Sequence, residues 1–243
     1  NNKLNLIKRV VYLPINKILV TDENRYNLMP DFIKKRTLVV ENFPFKFTND
    51  VERNPDPNVL SIFYNGSLNC GRGTTQMQEL CTRFPNRVKV YLAGWIYDKQ
   101  TKELCELPNT EYLGVISQVK SLEFAVAKCD YILCLYAPTN SNNINASPNK
   151  IFDGIQCTIP VIINSEVKVS NFVKKNRLGY ILNSYYEIDY NIEFDIPNDY
   201  QIFSSLNQNT RKILTASNFE ELADSPISIL KSSLIMLQHL SPF

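Results

Sequence analysis

Residues 140–164 read NSNNINASPNKIFDGIQCTIPVIIN and place a polar loop, a helix start and a buried strand in immediate succession. Ser147 is a residue type that caps helices, and Pro148 suits the first helical position, because its missing N–H is not needed there. A helix that begins here leaves free N–H groups facing the loop, and such helix ends attract anions. The stretch predicts an anion-binding helix start. The alternative is that Lys150 and Asp153 form an ordinary surface pair.

Short apolar runs alternate with helical patterns on both sides of this stretch. The run at 131–136 is apolar without alternation, as in strands that helices cover on both faces. Strands and helices that alternate in this way predict an α/β fold, a doubly wound parallel sheet. The predicted strands are residues 59–64, 88–93, 111–113, 131–136, 160–163 and 179–182; the predicted helices are residues 74–84, a short segment before Pro108, 117–128, a helix from Pro148, and 170–176.

The N-terminal part, residues 1–57, is predicted to be separate from this alternation. Two short apolar strands, at 17–21 and 37–40, flank a helical segment at 23–35, which makes one β-α-β step. A polar, proline-containing linker follows and ends the part. The regular alternation then occupies residues 58–183 and forms the main predicted domain.

The C-terminal part, residues 184–243, begins with an acidic connection. Residues 184–201 contain acidic side chains but no lysine or arginine, which is typical of a solvated segment. Two helical patterns follow, at 199–215 and 218–238. The only histidine, His239, lies just beyond them, so the sequence argues against a histidine-based catalytic triad or zinc site.

Charge and cysteine usage exclude several function classes. The formal net charge of +2 gives no basic field for a nucleic-acid partner. The longest apolar runs are too short to span a bilayer. The six cysteines are scattered without a C-x-x-C pair, and several lie in apolar runs, which favours reduced thiols and a cytoplasmic location.

Glycines follow three of the predicted strands, where α/β sheets bind ligands. In open sheets of this class, ligands lie beyond the carboxyl ends of the strands. The loop at 65–73 carries Gly66 and Arg72; glycine lets the backbone approach a phosphate, and arginine forms forked bonds to phosphate oxygens. Gly94 follows the second strand and Gly114 the third. The loop matches neither the dinucleotide fingerprint nor the P-loop, so a purely structural turn is the alternative.

In order and spacing, these features resemble the donor-binding half of GT-B glycosyltransferases. The resemblance is to the large retaining group (group 1, or family 4-like) that uses nucleotide-diphospho-sugars and builds bacterial surface polysaccharides such as capsule and lipopolysaccharide. Residues 17–44 also resemble the end of that family's N-terminal acceptor domain, so part of a second α/β domain is implied. The matching motifs are YNG at 64–66, RG at 72–73, LAG at 92–94, YLGVI at 112–116, KCDYIL at 128–133, SPNKIFD at 147–153 and IPVI at 159–162.

The resemblance implies roles for the charged residues. Arg72 and Lys150, the implied catalytic residues, would neutralise the donor diphosphate, helped by the amides of Gly66 and of residues 145–150. Asp153 matches the acid that accepts hydrogen bonds from the ribose hydroxyls. No metal site and no cofactor are implied beyond the donor itself, which would be UDP- or GDP-linked.

Two positions depart from the family pattern. Many members carry an acid where this chain has Asn145 and an arginine where it has Ser67. The departure at Asn145 leaves the usual contact of that acid with the sugar open. The implied nucleotide-sugar-binding residues are Gly66, Gly94, Val115, Ile116, Asn145, Ser147, Asn149 and Asp153, with the backbone near Val115 and Ile116 at the nucleobase.

The predicted function is sugar transfer from a nucleotide-diphospho-sugar to a glycan or lipid-linked acceptor in bacterial surface polysaccharide synthesis. The chain is predicted to be a fragment that holds the donor site. Its partners would include the missing N-terminal domain, through which the parent could associate peripherally with the inner face of the membrane. One alternative is a noncatalytic nucleotide-sugar-binding module. Another is a nucleotide-sugar epimerase, which a single histidine makes poorly equipped for acid–base chemistry.

Overall fold

The computed structural model describes residues 9–40, 42 and 51–187 of the 243-residue chain. The two predicted C-terminal helices, at 199–215 and 218–238, and His239 lie outside these residues, as does the acidic connection beyond residue 187.

The N-terminal part contains a small parallel sheet. Strands β1 (Ile18–Val20) and β2 (Thr37–Val39) pair directly, and helices α1 (Glu23–Asn27) and α2 (Asp31–Lys34) connect them. The single helix predicted at 23–35 is therefore wrong. Pro30, extended at φ −59° and ψ 141°, directly precedes α2, because proline has no N–H to continue a helix.

The main part is a six-stranded parallel sheet. Its strands are β3 (Leu60–Leu68), β4 (Val88–Ile96), β5 (Thr110–Tyr112), β6 (Tyr131–Leu133), β7 (Val161–Asn164) and β8 (Gly179–Leu182). Their order across the sheet is β5-β4-β3-β6-β7-β8, and every neighbouring pair is parallel. The chain therefore leaves β3 first towards one edge and then towards the other, so the switch in direction lies between β3 and β6.

Helices cover both faces of this sheet. They are α3 (Thr74–Arg83), α4 (Lys99–Cys105), α5 (Gln118–Lys128), α6 (Ser141–Ile144), α7 (Asn149–Cys157) and α8 (Ser170–Asn176), with a short 3-10 turn at Cys70–Arg72. Phe63 packs into a core with residues of α5, α7 and α8, whereas its neighbours Ile62 and Tyr64 pack into a second core with residues of α3 and α4. Consecutive strand residues are thus buried on opposite faces, which confirms the predicted doubly wound α/β fold.

Strands β3 and β4 are longer than predicted. Both continue through their glycines, and Gly66 pairs with Gly94 in the register of the two strands. The prediction that these glycines follow the strands as loop residues is wrong, because each is held in the ladder by the other strand. The glycines lie at the carboxyl edge of the sheet, two residues before each strand ends.

Three further observations concern the cysteines, the helices and the possible metal ligands. All six cysteines are free thiols. None of the helices within residues 9–40 and 51–187 is long and apolar enough to cross a lipid bilayer. Across the same residues, no group of three or more His, Cys, Asp or Glu side chains is placed to hold a metal ion.

Candidate functional site

Main-chain groups of three glycines meet at the carboxyl edge of the sheet, and we call the space above this floor the cleft. The N–H of Gly94 donates to the carbonyl of Gly114 at 2.8 Å. Gly94 has a φ of 127°, and a Cβ added there would lie 2.0 Å from the carbonyl oxygen of Gly66. No side chain fits at such a separation, so β3 and β4 can approach this closely only with glycine at position 94.

Lys150 reaches from the first turn of α7 over this floor. Its Nζ lies 4.6 Å from the centroid of the Tyr64 ring. The same ammonium would be 3.3 Å from a Cβ added to Gly66, so the glycine leaves room for the lysine head group. Burial lowers the pKa of Lys150, and the positive charge of Arg72 lowers it further, whereas Asp153 acts in the opposite direction. A bound anion would stabilise this charged lysine.

Arg72 lies close enough to Lys150 for its charge to lower the pKa of that lysine. It ends the 3-10 turn that follows β3, and its guanidinium carbon lies 3.9 Å from the centroid of the Tyr136 ring. Its Nη1 is buried and has no hydrogen-bond partner within the described part of the chain. In that part, neither Arg72 nor Lys150 has a carboxylate within 4 Å. Both cations are therefore held by aromatic faces and remain available to an anion.

Asp153 lies one turn further along α7 and is buried, with 3% of its surface exposed. Gln118, at the start of α5, donates from Nε2 to Oδ1 of Asp153 at 2.7 Å. Burial raises the pKa of Asp153 to about 6, although the Gln118 hydrogen bond and the charge of Lys150 both lower it. The second carboxylate oxygen has no described protein donor, so it is a candidate acceptor for ligand hydroxyl groups.

The start of α7 differs from the prediction. Asn149, which is exposed, is the first helical residue, and Pro148 precedes it in an extended conformation at φ −71° and ψ 132°. The predicted capping by Ser147 is wrong: its buried Oγ makes no hydrogen bond to any described residue. The Ser147 carbonyl instead accepts from Nδ2 of Asn42 at 3.3 Å, which links the N-terminal part to this helix.

Asn145 ends the short helix α6, which occupies much of the predicted polar loop. Its backbone N–H donates to Ser141 and that of Ala146 donates to Asn143, so these two amides are not free for a phosphate as predicted. The Asn145 side chain donates from Nδ2 to the Ser141 carbonyl at 2.7 Å. Its Oδ1 is buried and accepts no hydrogen bond from any residue that the structure describes.

Val115 and Ile116 lie between Gly114 and the start of α5. Gly114 has a φ of 73°, and the chain turns there away from the end of β5. Val115 is 55% exposed, whereas Ile116 packs against the core that includes α7. Because α5 begins two residues later with Gln118, which contacts Asp153, this segment lies beside the same cleft.

The predictions from the sequence did not identify the aromatic and amide residues that hold Arg72, Lys150 and Asp153 in place. The rings of Tyr64 and Tyr136 contact the charged groups of Lys150 and Arg72, and Gln118 donates a hydrogen bond to Asp153. Tyr185, assigned to the acidic connection, contacts the turn of Arg72. A weak signal existed: each of the two tyrosines ends an apolar run beside a predicted ligand-binding loop, where a ring can face both the core and the cleft.

Comparison with known proteins defines the fold more closely. No protein-family model matches this sequence, and no curated protein matches it. Among solved structures, HepE from Anabaena, in complex with UDP and glucose, has a TM-score of 0.58 at 15% identity over 93% of this chain and 64% of HepE. WaaG, a glycosyltransferase involved in lipopolysaccharide biosynthesis, has a TM-score of 0.51 at 12% identity over 81% of this chain and 57% of WaaG.

A TarM variant from S. aureus, in complex with fondaparinux, alpha-GlcNAc-glycerol and UDP, has a TM-score of 0.51 at 16% identity over 91% of this chain and 43% of TarM. The chain therefore spans less than two thirds of the length of each of these three proteins. At such low identities the agreement concerns the fold. The chain therefore shares the GT-B fold of the matched parts of these three proteins.

Proposed function

We propose that this chain carries the donor site of a glycosyltransferase, which transfers a sugar from a nucleotide-diphospho-sugar to a glycan or lipid-linked acceptor in surface polysaccharide synthesis. The observation that supports this most directly is the pair of cations, Arg72 and Lys150, at the carboxyl edge of the sheet. Arg72 and Lys150 are both half-buried and have no carboxylate partner in the described residues, so an anion bound beside them would offset their mutual repulsion. A diphosphate supplies that charge.

The proposed chemistry uses these cations on the leaving group. The bond between the sugar C1 and the diphosphate oxygen breaks, and the diphosphate takes the electron pair. The acceptor oxygen bonds to C1, and its proton passes to a base, for which the departing phosphate oxygen is available. Arg72 and Lys150 face the charge that develops, and being already held by Tyr136 and Tyr64, they need little reorganisation. We propose a retaining reaction that needs no metal ion.

The rest of the donor is assigned from the neighbouring groups. The free oxygen of Asp153 would accept hydrogen bonds from the ribose hydroxyls, and the backbone at Val115 and Ile116 would contact the nucleobase. The N–H groups of Asn149 and Lys150 lie at the free end of α7, where the helix dipole adds to the attraction for phosphate. The exposed amide of Asn149 can reach the same anion.

Location and partners follow from this function. We place the parent protein in the cytoplasm, at the inner face of the membrane when its acceptor is lipid-linked. The acceptor site would belong to an N-terminal domain of which β1 and β2 are the end. This chain alone should bind a nucleoside diphosphate weakly and transfer nothing, since it would lack most of the acceptor half.

Calorimetry with UDP, GDP and ADP tests the donor site. We expect at least one of them to bind, and Lys150→Ala to weaken that binding about tenfold or more, because a charge-assisted bond to phosphate contributes about 1.5–3 kcal/mol. Binding of the corresponding nucleoside should change by less than about twofold. Lys175→Ala, which removes an exposed lysine from α8, is the matched control and should bind like the wild type.

Two outcomes would contradict the proposal. One is the absence of binding to all three diphosphates by a chain whose circular dichroism shows an intact α/β fold. The other is equal loss of diphosphate and nucleoside binding in Lys150→Ala, which would indicate a general disturbance of the cleft.

A noncatalytic nucleotide-sugar-binding module is the second candidate. It is favoured by one observation: Asn145 carries no charge, and its Nδ2 is already bonded to Ser141. The buried Oδ1 can still accept one hydrogen bond from a sugar hydroxyl, which is a weaker contact than a carboxylate would make. An assay of donor hydrolysis and transfer by the full-length parent separates the two candidates, because only the enzyme releases the nucleoside diphosphate.

A further inference from the structure

In addition to the residues proposed to bind the donor, we propose a positioning residue, Tyr185, which holds the turn that contains Arg72 in its place at the cleft. The inference rests on the proposed function, because Arg72 is there assigned to the diphosphate. Tyr185 comes three residues after β8, at the far side of the sheet from β5. It is buried, with 4% of its surface exposed.

The hydroxyl of Tyr185 makes both of its hydrogen bonds to the backbone of the Arg72 turn. It donates to the carbonyl of Cys70 and accepts from the N–H of Gly73 at 3.2 Å. These two residues flank Arg72 closely. Burial raises the pKa of Tyr185, so the phenol keeps its proton and can donate and accept at once.

The backbone of Tyr185 is fixed as well. Its carbonyl accepts from Nε2 of Gln76 at 2.7 Å, which links it to the first turns of α3. Its N–H donates to Oε1 of Glu166 at 2.9 Å. The other oxygen of Glu166 accepts from Nδ2 of Asn164, the last residue of β7, at 2.8 Å. Burial opposes ionisation of Glu166, but these two donors lower its pKa, so the carboxylate stays charged.

Asn164 also contacts Tyr136, the residue whose ring packs against Arg72. Its Oδ1 accepts from the N–H of Tyr136 at 2.9 Å, and its Nδ2 donates to the Tyr136 carbonyl at 3.0 Å. The Tyr136 ring in turn faces the Arg72 guanidinium. The contacts therefore form a closed ring of residues, which fixes both the backbone of Arg72 and the aromatic surface that its side chain contacts. In order, the members of this ring are Arg72, Tyr136, Asn164, Glu166, Tyr185 and the Cys70–Gly73 turn.

The ring lowers the entropy that the turn would lose on binding a ligand. A short turn that follows a strand and contains two glycines has many conformations when nothing holds it. The N–H of Cys70 also donates to Asp98 and the Gly71 carbonyl accepts from Ala137, and the Tyr185 hydroxyl adds the contact that joins Cys70 to Gly73. Arg72 is therefore already in place before the diphosphate arrives. Loss of the hydroxyl should therefore affect contacts to phosphate and leave contacts to the nucleoside unchanged.

Tyr185→Phe tests this inference in the 243-residue chain, because it removes the hydroxyl and keeps the ring. Amide exchange measured by NMR should be faster at Gly73 by about tenfold, as expected for the loss of one hydrogen bond. Affinity for the nucleoside diphosphate that binds the wild type should fall by about fivefold to tenfold, with the nucleoside affinity within about twofold. Tyr186→Phe is the matched control, since Tyr186 is 67% exposed, and should change neither quantity.

The outcomes separate the inference from the function on which it rests. If the wild type binds no nucleotide, the proposed function fails and the inference fails with it. If the wild type binds, unchanged exchange at Gly73 or an equal loss for diphosphate and nucleoside overturns the inference alone. Should Tyr185→Phe not fold, Glu166→Gln takes its place: it weakens the bond to the Tyr185 N–H and should lower diphosphate affinity in the same selective way, whereas unchanged affinity overturns the inference.

Discussion

Replacing Asp153 with asparagine should stabilise the protein at neutral pH while it weakens donor binding. The carboxylate is buried, and a single described protein donor, Gln118, contacts it. Asparagine has nearly the same shape, can keep that hydrogen bond through its carbonyl oxygen, and carries no charge to desolvate. The native protein therefore carries a buried charge that costs stability and that the proposed function uses.

The pKa gives both the size and the sign of this effect. The native pKa of about 6 lies above the ordinary value of 3.8, so the folded state holds the proton more tightly than the unfolded state. The contribution of Asp153 to stability is consequently most favourable below pH 3.8 and is lost as the pH rises through 6. At about 1.4 kcal/mol per pKa unit, the complete cost is about 3 kcal/mol above the native pKa and about half of that near pH 5.

Urea denaturation of the wild type and Asp153→Asn at two pH values measures this cost. We expect the free energy of unfolding of the variant to exceed that of the wild type by about 3 kcal/mol near pH 7.5, and by about half as much near pH 5. Glu123→Gln on the neighbouring helix α5 removes one charge from a partly exposed position and controls for net charge. Affinity for the nucleoside diphosphate should fall about tenfold as the ribose loses a charged acceptor.

An asparagine variant that is less stable than the wild type near pH 7.5 would refute the reasoning. So would a stability difference that does not change with pH, because the charge would then not be its cause.

Two further predictions concern the frame of the cleft. Gly94→Ala should lower the free energy of unfolding, measured by urea titration, by about 3 kcal/mol or more, because the new Cβ meets the carbonyl of Gly66. Gly114→Ala is the control: its φ is also positive but the space around it is open, so it should cost about 1 kcal/mol. Equal costs for the two variants would contradict the close approach of β3 and β4. Asn164→Ala should lower the free energy of unfolding, measured by thermal or urea unfolding, by about 2–4 kcal/mol, because the N–H and the carbonyl of Tyr136 both lose their partner. A loss below about 1 kcal/mol would show that water replaces the amide.

The fold could be predicted from the sequence because local and tertiary preferences agree along most of the chain. The apolar runs of β3, β7 and β8 are bounded by turn residues, and helices α5 and α7 start within one residue of their predicted starts. The failures occur where tertiary pairing overrides a local signal. Gly66 and Gly94 read as turns on their own, but they pair as strand residues, since the missing side chain of Gly94 leaves space for the backbone of Gly66.

Of the candidate site, the charged side chains and the floor glycines could be predicted from the sequence. Lys150 and Asp153 lie on one helix, so their spacing places them on one face. Tyr64, Tyr136 and Tyr185 are distant in sequence. The ends of apolar runs hint at the first two, but not that their rings face Lys150 and Arg72 or that the Tyr185 hydroxyl bonds to the Arg72 turn. Their roles depend on the strand order, in which β6 lies beside β3 rather than beside β5.

The paired glycines Gly66 and Gly94 have a consequence for how the cleft can change over evolution. At this level its floor consists of peptide groups, and the shape of that floor is set by the path of two central strands. A floor of side chains would be remodelled by single substitutions, each with its own effect on the ligand. Here a substitution in a surrounding side chain leaves the outline of the floor in place, so variation in ligand preference would have to arise from the surrounding loops and not from the floor.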